Sequence, residues 1–128
     1  MATSITNDIK VSVETIYQPT YSKPLKNEYV FAYRINIENL GNHTVQLLRR
    51  HWYIWDSNGI EREVEGEGVV GDQPVLEPGQ SYQYVSGCPL VTDMGTMSGS
   101  FQMQRLDNGS FFDVEIPKFQ LIAPFKNN

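Results

Sequence analysis

The sequence predicts an all-β chain, an immunoglobulin/fibronectin type III-like β-sandwich of seven to eight strands. Three observations carry this expectation. Apolar and polar residues alternate nearly throughout, the period of two that marks strands with one buried face. Turn signals divide these stretches at Leu40-Gly41-Asn42, Ser57-Asn58-Gly59, Glu77-Pro78-Gly79 and Asp107-Asn108-Gly109. No ten-residue stretch sustains a 3.6-residue period. A closed barrel is the alternative closure. The 128 residues suit one domain, 1–128, which needs no disulfide or metal staple.

In chain order, Ile9, Val11 and Val13 alternate with Lys10, Ser12 and Glu14 and begin the first strand. Gln18 to Asn27 holds Pro19 and Pro24 and reads as a loop. Tyr29 to Glu38 alternates cleanly. "VQLLRRHWYIWD", "IEREVEG", "SYQYVSG", "MSGSFQMQRL" and "SFFDVEI" follow as strands. "KFQLI" comes last, and "FQLIAPF" near the end adds an edge strand, with Pro117 and Pro124 limiting its pairing.

The "DSNGI" hairpin closes with two or three loop residues. A two-residue loop sets Ile54 opposite Glu63, a mismatch of polarity on one face. A three-residue loop, Ser57-Asn58-Gly59, sets Trp52 opposite Val64 on a buried face. The other face then matches Tyr53 with Glu63, His51 with Glu65 and Arg49 with Glu67. Gly59 suits the left-handed position of such a loop, and this register is preferred. It places Arg50 on the face of Trp52 and Ile54. An unpartnered buried guanidinium is very unfavourable, so Arg50 must reach the rim, find a carboxylate or be turned outward by a bulge near Arg49-Arg50. Trp52 and Ile54 are core. Tyr53 and Trp55 lie on the opposite face, either packed under loops or exposed; exposed together with Tyr82 or Tyr84, they form a recognition patch.

Gly66, Gly68 and Gly71 stand at the spacing G-x-G-x-x-G. A dinucleotide fingerprint works by opening a helix whose N-terminus meets the phosphates. Here Pro74 and Pro78 interrupt any such helix, Glu67 and Asp72 repel phosphate, and no Lys-Ser or Lys-Thr makes a Walker loop. The expected role is conformational: positive φ or close backbone approach at a sheet corner. A non-Rossmann anion or peptide site built from loop amides stays open.

"VQLLRRHWYIWDSNG", "VEGEGVVGDQPVLEPGQSYQYVSGCPL" and "GTMSGSFQM" together resemble the ApaG family, over about Thr6 to Pro124. The ordered set R-H-W, G-E-G-V-V-G-x-Q-P, P-G and S-G-C-P-L is highly specific. The resemblance implies a fibronectin type III-like sandwich of this size. It implies an association with cobalt tolerance and magnesium efflux. Bacterial members are often encoded beside a diadenosine tetraphosphate hydrolase. In eukaryotes the domain is attached to an F-box protein and a polymerase-interacting protein, which implies protein–protein recognition. Pyrophosphate binding by the glycine motif has been discussed for the family, and Gly66, Gly68 and Gly71 match it.

Other chemistry finds little support in the residues. Ten Lys and Arg against fifteen Asp and Glu, a net charge of −5, argue against nucleic acid and anionic membranes as partners. His43, His51 and Cys88 are not at tight metal-ligand spacing. Glu61, Glu63, Glu65 and Glu67 form a carboxylate stripe, read as a solvated face paired with Arg49 and His51, with weak magnesium or calcium binding as the alternative. Cys88 reads as packing, since nothing in "SGCPL" lowers a thiol pKa. No catalytic residue, metal site or cofactor is expected. One cysteine, no signal peptide and no membrane-length apolar run predict a cytoplasmic protein.

The expected function is a non-enzymatic interaction module with an unidentified protein partner. The alternative is binding, or hydrolysis, of a phosphoanhydride ligand such as a diadenosine polyphosphate, with Gly66, Gly68, Gly71, Arg49 and Arg50 as its site.

Overall fold

The structure, a computed structural model, describes residues 1–124. Phe125, in the terminal "FQLIAPF" stretch, lies outside them. Among the described residues, nine strands form two antiparallel sheets: β1 (Ala2–Thr6), β2 (Ile9–Tyr17), β3 (Tyr29–Asn39), β4 (Val45–Asp56), β5 (Glu61–Glu67), β6 (Val75–Leu76), β7 (Ser81–Leu90), β8 (Met94–Arg105) and β9 (Phe111–Ile122). One sheet runs β1-β2-β3-β7. The other runs β5-β4-β8-β9, with β6 paired to β4 beyond the end of β5. The open sandwich, rather than a closed barrel, follows from this order. Among the described residues no helix is long and apolar enough to cross a membrane. Gln18 to Asn27 forms a loop with two single-turn 3-10 segments, Pro19–Tyr21 and Pro24–Lys26.

The strand count differs from the expected seven to eight for identifiable reasons. "SFFDVEI" and "KFQLI" join into β9. The pairing slips at Ser98, where Met97 faces Phe119 and Gly99 faces Ile116, so Pro117 falls at a bulge on an edge strand where its missing N–H is tolerated. β6 holds only two residues. β1 has Ile5 as its one large aliphatic residue, and that side chain faces solvent. Its inward hydroxyls carry the contact instead. Ser4 Oγ donates to the Glu115 carbonyl at 2.9 Å, and the Glu115 N–H donates to Thr6 Oγ1 at 3.2 Å. β1 thereby satisfies an outward-facing stretch of the β9 edge.

The core lies between the sheets. Ile9, Val11, Val13, Phe31, Ile35 and Ile37 come from the first sheet, and Leu47, Trp52, Phe101, Met103, Val114 and Leu121 from the second. Trp52 meets Tyr33 edge-on at a centroid distance of 5.3 Å and Phe119 at 5.9 Å. Buried Asp56, at the end of β4, accepts from Val91 N–H, Thr92 N–H and Thr92 Oγ1 at 3.1, 3.1 and 2.8 Å, fastening the β7–β8 turn to the opposite sheet.

The β4–β5 hairpin has the preferred register: Trp52 faces Val64, Tyr53 faces Glu63, His51 faces Glu65 and Arg49 faces Glu67. Its three-residue loop closes with Asp56 N–H on the Ile60 carbonyl, and Gly59 has φ 89°. Val64 is less covered than expected, at 39% exposure, because β5 is an edge strand and the sandwich is open there. The bulge in β4 sits at Leu48, where pairing with β8 shifts between Leu47 and Arg49. It does the opposite of turning Arg50 outward. The inward parity runs through Val45 and Leu47, and the bulge moves it to Arg50, Trp52 and Ile54.

Candidate functional site

Two regions gather the sequence-derived candidates. The first is the glycine segment between β5 and β6. Both strands pair with the same edge of β4, β5 along Arg49 to Trp55 and β6 at Val45 and Gln46. The segment between them bridges the interruption that the Leu48 bulge leaves. Gly68 N–H donates to the Leu48 carbonyl at 2.8 Å, and Gln73 Nε2 donates to the same oxygen at 3.0 Å. Leu47 N–H donates to the Pro74 carbonyl at 3.0 Å. Val69 is driven into the core.

Val69 and Asp72 close a tight turn through reciprocal N–H···O bonds of 2.8 and 2.9 Å, with Val70 at φ 42° and Gly71 at φ 86° between them. Positive φ at both central positions defines a type I′ turn, and Val70 is there despite its β-branch. Gly68 has φ 64°, and a Cβ on it would collide with the Asp72 carbonyl. Tyr82 OH donates to Asp72 Oδ2 at 2.7 Å, and that bond raises the phenol pKa above its ordinary value. The amides of Gly68, Val69 and Asp72 therefore donate within the protein. No helix follows, because the chain enters β6 at Val75.

Arg50 is part of this framework. Its Nη1 donates to the Glu67 carbonyl at 2.8 Å and to the Gly68 carbonyl at 3.0 Å. The partners are backbone oxygens, not a carboxylate. Arg49 is exposed on the opposite face of the sheet. The two arginines thus do not converge on the glycine turn as one site, since adjacent strand residues point to opposite faces.

The second region is the outer face of the β5-β4-β8-β9 sheet. Arg49, His51, Tyr53 and Trp55 form a row along β4, beside Glu67, Glu65, Glu63 and Glu61 of β5. His51 lies between two carboxylates, Nδ1 at 2.9 Å from Glu65 and Nε2 at 3.3 Å from Glu63, and stacks on Tyr53 at 4.5 Å. Ligand atoms of His51, Glu63 and Glu65 lie within 4.8 Å of one another, the arrangement by which these three could hold a cation. In the structure the two carboxylates are the ring's own partners. Arg49 has no ion pair among the described residues, so of the two bases expected to pair the stripe only His51 does so.

Tyr82 and Tyr84 do not join this surface. They belong to β7 and face inward from the other sheet, so the four aromatics do not make one patch. Tyr84 is 7% exposed, its hydroxyl has no hydrogen-bond partner among the described residues, and burial drives its pKa far up. Cys88 is buried beside Arg62, whose Nη2 donates to the Pro89 carbonyl, and burial raises the thiol pKa. His43 lies at another end of the fold, where its Nδ1 is 2.9 Å from Arg105 Nη2 and 3.1 Å from Asp107 Oδ2, and Arg105 also holds Asp107. Arg105 keeps the Asp107 carboxyl below the ordinary range.

Sequence reasoning missed Met94 and Ile122. Both stand exposed next to Trp55 on the outer face, around a cavity of about 190 Å³ that Asp56, Ser57, Gly95, Thr96 and Gln120 also line. Their juxtaposition depends on the β8–β9 register, in which Met94 faces Ile122. Only the alternation of "KFQLI" hinted at one of the two.

The ApaG domain family matches residues 19–105. Protein ApaG of Brucella anthropi is 52% identical over 124 residues, spanning 97% of this chain and 95% of its own length. Protein ApaG of Brucella canis is 51% identical over the same shares. A crystal structure described as an ApaA protein from Bordetella pertussis superposes with a TM-score of 0.89 at 45% identity, covering 93% of this chain and 96% of that one.

Proposed function

Because the chain belongs to the ApaG domain family, we propose that it is a non-enzymatic binding module that recognises another protein through the outer face of its β5-β4-β8-β9 sheet. One observation carries the reading: Trp55, Met94 and Ile122 are 43%, 41% and 49% exposed and share one shallow cavity on a rigid sheet. Large exposed aromatic and methionine side chains grouped on a scaffold are the usual makings of a protein interface.

The described side chains also favour binding over turnover. The thiol of Cys88 is buried and held in its neutral form. His51 and His43 are both engaged by charged neighbours. The alternative, a phosphoanhydride ligand at the glycine turn, would have to rely on the amides of Val70 and Gly71 and on Arg49 from the other face. Cytoplasmic residence and a part in cobalt tolerance and magnesium efflux complete the proposal. Growth of a deletion strain on cobalt, with and without a Trp55→Glu copy, links that phenotype to this surface.

The direct test is affinity purification from the native cell with the wild-type chain and a Trp55→Glu variant of equal thermal stability. The reading expects a partner retained by the first and lost by the second, with the complex rebuilt from purified components. Partners that ignore the substitution overturn it.

A further inference from the structure

Resting on that reading and narrowing it, we propose that the trough over β8 binds an extended segment of a partner protein that carries a large apolar side chain and, four residues along, a lysine or arginine.

The trough follows from the sequence of β8. Its outward side chains Thr96, Ser98 and Ser100 are small. They lie between Trp55, Tyr53 and His51 of β4 on one side and the outward residues of β9 on the other. The cavity at Trp55, Met94 and Ile122 occupies the Thr96 end. A second, of about 200 Å³, lies four residues along at Ser100, lined also by Arg49, Arg50 and His51 of β4, Glu65, Gln102 and Asp113. Four strand residues span about 13 Å. An extended ligand has the same rise and returns its side chains to one face every second residue. Its positions i and i+4 therefore reach both cavities together, with i+2 over Ser98.

The two ends differ in chemistry. The Thr96 end is apolar. At the Ser100 end, Glu65 on β5 and Glu115 on β9 lie in one cross-sheet row with His51 and Ser100 between them, flanked by Glu63 and Asp113, and these carboxylates outnumber the one exposed guanidinium there, Arg49. The whole outer face bears Glu61, Glu63, Glu65, Glu67, Asp113 and Glu115 against Arg49 and Lys118. A second copy of the chain, with net charge −5, would bring the same carboxylates to the surface and be repelled, so the complementary occupant is a basic foreign segment. β8 is an inner strand with both edges paired. Recognition therefore runs through side chains, without strand addition.

The test is to pan a phage-displayed library of random twelve-residue peptides against the full chain. Enriched peptides are then titrated by fluorescence polarisation against wild type, Trp55→Glu and Glu115→Lys, with amide shifts recorded by NMR. The proposal expects enrichment of an apolar residue followed four positions later by Lys or Arg, at least tenfold weaker binding to each variant, weakening by salt, and shifts centred on Thr96, Ser98 and Ser100. Because both substitutions sit on an exposed face, melting curves separate lost binding from lost folding. Peptides that need Trp55 but lack the basic residue overturn this inference and leave the protein-binding reading standing. Peptides unaffected by either substitution overturn both. No enrichment above bare matrix overturns the inference.

Discussion

The guanidinium of Arg50 covers the backbone of Gly66 face-on: a methyl group there would lie 2.8, 2.8 and 2.9 Å from Nη1, Nη2 and Cζ. Near-equal distances to three atoms of a planar group mean that its face, not its edge, is in contact. The glycine is required by the arginine, and the arginine by the carbonyls of Glu67 and Gly68. Gly66→Ala overpacks this contact and is expected to cost about 1–3 kcal/mol. Arg50→Ala strands two carbonyls, at a similar cost of roughly 1–3 kcal/mol. Urea unfolding of both variants and the double variant checks this, with the double costing clearly less than the sum.

Trp52 is 3% exposed and meets both Tyr33 and Phe119 edge-on. Trp52→Ala is expected to lose about 3–5 kcal/mol, and Trp52→Phe markedly less. Chemical denaturation measures both. Equal losses would mean that ring volume at this position does not set the cost.

Asp56 accepts three hydrogen bonds from the β7–β8 turn. Asp56→Ala leaves two backbone amides without their acceptor, and the loss is expected on the order of 3 kcal/mol. Hydrogen exchange at Val91 and Thr92 should accelerate before the rest of the core does. Uniform acceleration would argue against a local fastening.

Stability is expected to fall on the alkaline side. Burial raises the pKa of Cys88 above 9.0 and those of Tyr33 and Tyr84 above 10.0. Above these ordinary values the unfolded chain releases protons that the folded chain keeps. The favourable contribution is thus complete below about pH 9 and declines as pH rises through the unfolded and then the folded values. Thermal melts from pH 7 to 11 should show this decline, with its early part flattened in Cys88→Ala relative to its own neutral-pH baseline.

The glycine turn is expected not to capture pyrophosphate. Its Gly68, Val69 and Asp72 amides are committed within the fold, and Glu67 and Asp72 add negative charge. NMR titration with pyrophosphate and magnesium should leave these three amides in place up to millimolar ligand. Saturable shifts at Gly68 to Asp72 would contradict this.

The β4–β5 register was legible because both faces of one hairpin had to agree in polarity and in charge. Only the three-residue loop met both conditions, and edge exposure affected Val64 without disturbing the pairing. The conformational role of the glycines was legible from Pro74 and Pro78. What they are fitted around, the Leu48 carbonyl and the Arg50 plane, was not, because both contacts reach across some twenty residues. The bulge itself leaves a trace in the sequence. Apolar parity is odd at Val45 and Leu47 and even at Trp52 and Ile54, which demands one extra residue between them. β1 was illegible because hydroxyls, not aliphatic side chains, tie it down. The apolar cluster of the outer face was half legible: Trp55 follows from the hairpin register, while Met94 and Ile122 reach it only through the slipped β8–β9 pairing.

Ser4 and Thr6 have a further consequence for solubility. By occupying the N–H and C=O of Glu115, these short side chains act as a guard that lets no foreign strand dock along that part of β9. Deleting residues 1–6, or replacing both hydroxyl residues by valine, would strip the guard and turn an intramolecular border into a seam for edge-to-edge polymerisation.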